Sequence, residues 1–340
     1  MANAPAAGQR AGYGSSSRHN EQMVVCPFQS RAWQSRDDTL EMQRLVRARL
    51  ARDWPAVRFH PGDVDWWALL ADERMAALTE RVRLWTGADG TLVGYAWFTP
   101  PADVDFMVGG LEPDATRNLI IEMLAWADSR RSAVGGIDTE PLRAWVAAED
   151  ASAMGAVVAA GMTPENRPGF VHFTGDLPVV DGWPAPALPE SMRVRRLETD
   201  ADIAARVACG RAAFSSSTMT ADRYRRVHDT WLYRSELDLQ IVTEEGLVVA
   251  FALGWLDPAT QTVELEPVGV HPAWHRRGLG GEICRAVLRR ARELGATRAM
   301  IAAERANDAA LALYASLGLQ ITSEIVAFTT ARAPLASTSA

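Results

Sequence analysis

The hydrophobic and polar positions in the first half of the chain follow a regular series. Residues 81–100 alternate on either side of a glycine-containing turn, which predicts a β-hairpin. A β-rich run then leads into helical spacing over 113–131, and a short helix ending in glycine follows over 151–162. A last strand is predicted over 170–177. The pattern indicates an α/β unit.

The second half repeats this series in the same order. Residues 239–258 predict the hairpin, and 278–294 predict a long amphipathic helix. The short helix ending in glycine falls at 308–319, and the last strand at 324–330. Because the order recurs, we predict two α/β domains of one fold in tandem. One large α/β domain with a proline-rich excursion is the alternative.

A proline-rich segment separates the two series. Residues 176–192 contain four prolines, which is typical of a linker. Small and polar residues dominate the N-terminus, which indicates disorder. The predicted divisions are a disordered tail over 1–22, a first domain over 23–177, a linker over 178–191, a second domain over 192–331 and a tail over 332–340.

Composition excludes several classes of protein. The chain has 340 residues and a net charge of −7, so we expect no nucleic acid as partner. No segment approaches the roughly 20 apolar residues of a membrane span, and we expect no membrane association and a cytoplasmic location. Cys26, Cys209 and Cys284 are too scattered for a disulfide framework or a zinc site, as are the six histidines for a metal cluster. We predict no metal.

A basic, glycine-rich loop precedes the long helix of the second half. A Walker A loop needs Lys-Ser/Thr after its last glycine, and a dinucleotide-binding loop needs a third glycine where Ile283 stands. The remaining interpretation is a turn whose backbone N–H groups, with Arg276 and Arg277, bind a diphosphate at a helix N-terminus. A plain glycine turn that starts a helix is the alternative.

Two neighbouring motifs extend this pattern. A strand ends in Val-His-Pro at 270–272, and an Asn-x(6)-Tyr-x(3)-Gly pattern covers 307–318. With the loop at 275–280, these motifs resemble the GNAT superfamily of acyl-CoA-dependent N-acetyltransferases. His275 departs from the family pattern, which usually has Gln or Arg at this position. The whole chain resembles bacterial proteins that carry two GNAT domains.

The resemblance implies a fold, a co-substrate and a set of binding residues. Each half would be a mixed, mostly antiparallel twisted sheet flanked by helices. Acetyl-CoA would be bound with its diphosphate on the loop and its pantetheine arm along the preceding strand. The residues implied in this binding are Val268, Gly269, Val270, His275, Arg276, Arg277, Gly278, Leu279, Gly280, Gly281, Asn307 and Tyr314.

The first half lacks these features. Glu112 and Asp114 stand where the diphosphate would lie, and Asp150 and Val157 replace the Asn and Tyr of the second half. We therefore predict that the first half is a degenerate GNAT-like domain that binds no CoA. The tandem Trp66-Trp67 pair is expected in the core or at a domain interface.

Amine acetylation requires a deprotonated amine and a proton for the leaving thiolate. Glu264 and Glu266 lie two apart on a predicted strand and therefore share a face. The family often has a base at one of these positions, and we favour Glu266. Tyr314 matches the usual general acid. Cys284 is expected to face the core, so we predict direct transfer rather than an acyl-enzyme.

The predicted activity is acetylation of a primary amine on a small polar molecule. We favour a cationic, aminoglycoside-type antibiotic, as in kasugamycin acetylation, because Asp257, Glu264 and Glu266 would cluster at the acceptor side. The alternatives are a mycothiol-synthase-like enzyme, a protein-lysine acetyltransferase and a non-catalytic acyl-CoA sensor. Both a monomer and a homodimer stay open.

Overall fold

The computed structural model describes residues 28–70, 77–133, 140–177 and 187–331. The predicted tails over 1–22 and 332–340 lie outside these ranges, as do Cys26 and most of the predicted linker.

The first half contains five helices and seven strands within the described ranges. Its helices are α1 (Arg36–Asp53), α2 (Pro61–Leu70), α3 (Leu78–Arg81), α4 (Pro113–Ala133) and α5 (Ala151–Ala159). Its strands are β1 (Gln29–Ala32), β2 (Val82–Thr86), β3 (Leu92–Thr99), β4 (Asp103–Val108), β5 (Arg143–Ala147), β6 (Thr163–Pro164) and β7 (Phe170–Asp176).

The second half repeats the order of the main elements. Its helices are α6 (Asp200–Ala213), α7 (Ala221–Arg225), α8 (Leu279–Glu293) and α9 (Asp308–Ser316). Its strands are β8 (Met192–Arg196), β9 (Asp238–Thr243), β10 (Val248–Asp257), β11 (Thr262–Val270), β12 (Arg298–Glu304) and β13 (Gln320–Thr329).

The predicted repeat is confirmed by the strand pairing. In the first half β2 and β3 form an antiparallel hairpin, and β4 pairs parallel with β5 across the α4 connection. In the second half β9 and β10 form the hairpin, and β11 pairs parallel with β12 across α8. The fold class is therefore mixed α/β, as predicted.

All these strands join one sheet, because the two halves exchange their last strands. β7, from the first half, lies between β12 and β13, while β13, from the second half, lies between β7 and β5. The sequence gives no sign of this exchange, because it identifies the strands but not their partners. The residue bounds of the two domains stay a prediction.

The largest core clusters follow this exchange. The cluster under α8 includes Val171 and Phe173 of β7, and the cluster under α4 includes Phe328 of β13. Further contacts join the halves elsewhere: Trp66 packs against Trp255 with ring centroids 6.2 Å apart. The tandem tryptophans thus lie at an interface between the halves. None of the helices in the described ranges has the length and hydropathy needed to cross a bilayer.

Candidate active site

The cofactor cleft begins where β11 separates from β12. The two strands pair over Thr262 to Glu264 and then separate. The His271 N–H donates to the Val249 carbonyl on β10, so by alternation the polar groups of Val268 and Val270 face away from β10 and into the gap. These are the backbone groups that an amide-containing arm can pair with.

The glycine-rich loop turns sharply before α8. Arg276 and Gly278 both have left-handed backbone, with φ of 59° and 77°. Alternating conformations of this kind turn successive N–H groups to one side, and the α8 N-terminus adds its positive dipole end. A Cβ on Gly280 would lie 3.2 Å from Leu313 Cδ2 and 3.5 Å from Val270 Cγ2. The absence of a side chain at position 280 therefore leaves room for a diphosphate at the loop.

Two loop side chains have roles that the sequence did not show. His275 Nε2–H donates to the Val270 carbonyl at 3.0 Å, so His275 anchors the loop to the end of β11. The Arg277 guanidinium lies 4.5 Å from the Trp274 ring centroid, in a cation–π contact. Arg277 is the one predicted binding residue that does not line the cleft.

The cleft, of about 910 Å³, brings the other predicted residues together. Its walls include Glu264, Glu266, Val268, Gly269, Val270, His275, Arg276, Gly278, Leu279, Gly280, Gly281, Asn307 and Tyr314. Asn307 caps α9 by accepting from the Ala310 N–H at 3.1 Å. Tyr314 is 7% exposed and packs edge-on against Phe173 of the first half.

The hydroxyl of Tyr314 stays protonated at neutral pH. Burial raises its pKa further above the ordinary value of 10.0, and the nearby Cys284 and Glu266 act in the same direction. A protonated phenol is a proton donor for a thiolate formed nearby. The role of Tyr314 as general acid stays a prediction.

A third carboxylate joins the two predicted ones. Oxygen atoms of Asp63, Glu264 and Glu266 all lie within 4.8 Å of one another. Burial raises the pKa of each. Asp63 raises the pKa of Glu264 and of Glu266 further, to well above 4.5, whereas hydrogen bonds with the two glutamates offset part of the rise of Asp63, whose pKa is about 6. Such a group holds protons near neutrality and can take one from an ammonium. The spacing would also suit a metal ion, so the absence of metal stays a prediction.

Asp63 is held in place by a histidine on the preceding turn. The backbone N–H of His60 donates to Asp63 Oδ2 at 2.8 Å. His60 Nδ1 accepts from the Gly62 N–H, and its Nε2–H donates to the Thr262 carbonyl on β11. Burial lowers the pKa of His60 to about 4, so it is neutral at pH 7. His60 therefore links α2 of the first half to β11 of the second.

A second cavity, of about 560 Å³, adjoins the carboxylates from the side of the first half. It shares Glu264 and Glu266 with the cleft, and most of its remaining wall comes from the first half. Its aromatic walls include Trp67, Trp97 and Trp145. Its charged side chains are largely ion-paired within the protein: Arg58 pairs with Asp105, and Arg143 pairs with Asp103 and Glu165. This is the space left for an acceptor.

The comparisons with known proteins agree with this geometry. The family model described as "Acetyltransferase (GNAT) family" matches residues 208–319. The mycothiol acetyltransferase of Salinispora arenicola (strain CNS-205) is 30% identical over 244 residues, covering 68% of this chain and 75% of the relative. The chain belongs to the GNAT acetyltransferase family. It is therefore an acyltransferase, and its family uses acetyl-CoA as co-substrate.

Other relatives of this GNAT protein share its tandem form or part of its length. The mycothiol acetyltransferase of Thermobispora bispora is 31% identical over 153 residues, which span 42% of this chain and half of that protein. A tandem GNAT protein from the clavulanic acid biosynthesis pathway superposes with a TM-score of 0.62 at 16% identity, covering 91% of this chain and 99% of its own. A GCN5-related N-acetyltransferase from Sphaerobacter thermophilus also gives 0.62, at 19% identity, with coverage of 89% and 95%. These structures share the fold.

Three residues of this GNAT protein correct or extend the sequence predictions. Asp257 does not line the acceptor cavity, because it is buried and ion-paired with Arg47 at 2.8 Å. Asp63 was missed, since an isolated aspartate on a helix of the other half carries no motif. Cys284 is fully buried, as predicted, and burial raises its pKa to about 12.

In the first half of this GNAT protein, helix α1 forms part of the wall of the corresponding cleft. A cavity of about 470 Å³ lies where β4 and β5 separate. There Arg49 Nη1 donates to the Val108 carbonyl at 3.2 Å, and Arg49 pairs with Asp53 and Asp150. Asp150 caps α5, as Asn307 caps α9.

Proposed function

We propose that this enzyme transfers an acetyl group from acetyl-CoA directly to a primary amine of a small polar molecule. The observation that carries the proposal is the position of Glu266, which lines both the cofactor cleft and the acceptor cavity. A group there reaches the amine on one side and the thioester on the other.

The base would be the carboxylate cluster. Both glutamates line both cavities, and Glu266 is the more exposed of the two, since Glu264 is only 2% exposed. A protonated amine cannot attack, so Glu266 removes a proton from the ammonium. The nitrogen lone pair then forms the new C–N bond at the thioester carbonyl carbon. Burial and the neighbouring Asp63 keep Glu266 able to hold this proton, because both raise its pKa.

The acid would be Tyr314. As the C–S bond breaks, the electron pair passes to sulfur, and the Tyr314 hydroxyl donates its proton to the thiolate. The second proton leaves the attacking nitrogen and passes through solvent to the Tyr314 phenolate, which restores the phenol. Cys284 does not take the acetyl group, because its buried thiol, with a pKa of about 12, supplies almost no thiolate at neutral pH. Transfer therefore proceeds in one step between bound substrates.

We also propose that the loop backbone over 276–281 holds the diphosphate, while Val268 and Val270 pair with the pantetheine arm. The first half binds no CoA, because Arg49 already donates a hydrogen bond to the Val108 carbonyl. This carbonyl lies at the end of β4, the strand that corresponds to β11. The first half contributes Asp63 and most of the acceptor wall instead.

Two acceptor classes have specific support. A mycothiol-type acceptor is favoured by the names of the curated relatives. An aminoglycoside-type acceptor is favoured by the carboxylate cluster. The other carboxylates at the acceptor cavity are largely ion-paired with arginines, so few of them are left to bind a polycation.

The test is thiol release from acetyl-CoA across a panel of amines. The panel contains aminoglycosides, amino acids, polyamines, an aminosugar–cysteine conjugate and a lysine peptide. Turnover of a small amine supports the proposal. Turnover of the lysine peptide alone would replace it with a protein acetyltransferase. Acetyl-CoA binding with no turnover of any amine would contradict it and favour an acyl-CoA sensor.

A further inference from the structure

A third cavity, of about 380 Å³, lies on the second-half side of Glu266. Helix α6 lines it with Arg206 and Gly210, and the segment after α6 adds Ser216, Ser217 and Thr218. Glu266 lines this cavity as well as the two already described. A molecule whose amine meets Glu266 therefore has room for a second group here.

Arg206 is buried in this wall without a counter-ion. It is 3% exposed, and its Nε and Nη2 atoms are buried with no hydrogen-bond partner. Its guanidinium lies 3.3 Å from the Phe251 ring centroid and 5.2 Å from that of Tyr224. No carboxylate of the described chain lies within ion-pair distance of it. Gly210 leaves it space, since a Cβ there would lie 3.1 Å from Nη1.

The charge of Arg206 acts on one buried acidic group, Asp238, which forms no ion pair with it and whose Oδ1 is buried without a hydrogen-bond partner. Asp238 is fully buried and accepts from the Tyr224 hydroxyl at 2.8 Å and the Tyr233 hydroxyl at 3.3 Å. Burial raises its pKa, although the charge of Arg206 lowers it in part. Stacking on aromatic rings stabilises a guanidinium only partly, so a buried charge that makes no ion pair is costly.

We propose that Arg206 binds a carboxylate of the acceptor, which is therefore an amino-acid-like molecule with its primary amine at Glu266. The hydroxyl-rich segment from Ser216 to Thr218 supplies further donors on the same wall. Arginine suits this role because its planar fork matches a carboxylate. The inference deepens the proposed acetyl transfer and rests on it for the position of the amine.

The test compares amino acids with their matched carboxamides as acceptors. The wild-type enzyme should use the acids with kcat/KM about 10- to 100-fold higher, because a hydrogen-bonded charge pair contributes about 1.5–3 kcal/mol. In Arg206→Met, which keeps an apolar stem against Phe251, the preference should disappear, mainly through KM. Arg206→Lys should restore part of it. Arg211→Met, at an exposed position of the same helix, is the matched control and should behave as wild type.

A binding measurement separates this inference from the transfer reaction. Calorimetry with N-acetyl amino acids, in the presence of CoA, should show binding that is lost in Arg206→Met and kept in Arg211→Met. A retained rise in melting temperature with CoA shows that each variant is folded. If no amine is acetylated but this binding requires Arg206, the proposed function fails and the carboxylate site stands. Equal use of acids and carboxamides by wild type, or a preference that survives in Arg206→Met, would overturn the carboxylate site.

Discussion

The carboxylates of Asp63 and Glu266 lie within 4.8 Å of each other, although they belong to different halves of the chain. Helix α2 carries the first and strand β11 the second, and His60 joins these two elements through the Thr262 carbonyl. The half without a cofactor loop therefore contributes to the carboxylate cluster of the proposed active site. It supplies a proton-holding group as well as a wall.

Replacing Asp63 with Asn should move the pH dependence of kcat/KM to lower pH. The pKa of Glu266 is raised first by burial and then by Asp63, so removing the Asp63 charge lets Glu266 lose its proton more easily. The acidic limb of the profile should shift down by roughly one unit. Asp65→Asn is the matched control, because Asp65 lies on the same helix but bonds to Gln43. An unshifted limb in Asp63→Asn would remove Asp63 from the account.

The same variant should be more stable than wild type at pH 8. Folding raises the pKa of Asp63 from 3.8 to about 6, so the folded state binds this proton more tightly than the unfolded state does. Stability from this group is thus present below pH 3.8 and is lost as the pH rises through 6. Asp63→Asn should gain about 1–3 kcal/mol at pH 8 and little at pH 3.5. Chemical denaturation at both pH values measures this, and a gain that is equal at both would contradict it.

Gly280→Val should weaken acetyl-CoA binding roughly 100-fold, or about 2.8 kcal/mol. The added side chain displaces the end of Leu313 and projects into the cleft at the start of α8, where the loop N–H groups must approach the diphosphate. Calorimetry measures the affinity. Gly155→Val, on α5 of the first half with open space around it, controls for valine in a helix. Equal affinity in the two variants would contradict the loop assignment.

Tyr314→Phe should lower kcat about 100-fold or more, with little change in the KM for acetyl-CoA. Phenylalanine keeps the ring that packs on Phe173, so the loss isolates the hydroxyl. Steady-state kinetics, with an acceptor whose acetylation is irreversible, separates the effect on kcat from the effect on KM. A variant with wild-type kcat would show that water protonates the leaving thiolate.

The sequence predicted the local elements well, because they depend on nearby residues. The hairpins and the long helix α8 lie where the pattern indicated, and the proposed cofactor-binding residues other than Arg277 line one cleft. The misplaced Asp257 and the missed Asp63 have a common cause. Which carboxylate faces a cavity depends on contacts between halves, such as the Arg47–Asp257 pair, and no local pattern specifies them.

The exchange of β7 and β13 has the same origin. Each was predicted as the last strand of its own half, but strand pairing depends on the geometry of the whole sheet. The exchange places Phe173 of the first half against Tyr314, so it also shapes the site.

The pH dependence of kcat/KM in Glu266→Gln, set beside Glu264→Gln and wild type on one accepted amine, tests the central claim most directly. If Glu266 is the base, Glu266→Gln should lose at least about 100-fold in kcat/KM and lose the acidic limb of its profile. Glu264→Gln should lose less and keep its acidic limb, because Glu266 remains and its pKa is raised by burial and by Asp63. A wild-type rate and pH profile in Glu266→Gln would contradict the account and would assign the role of general base to another group.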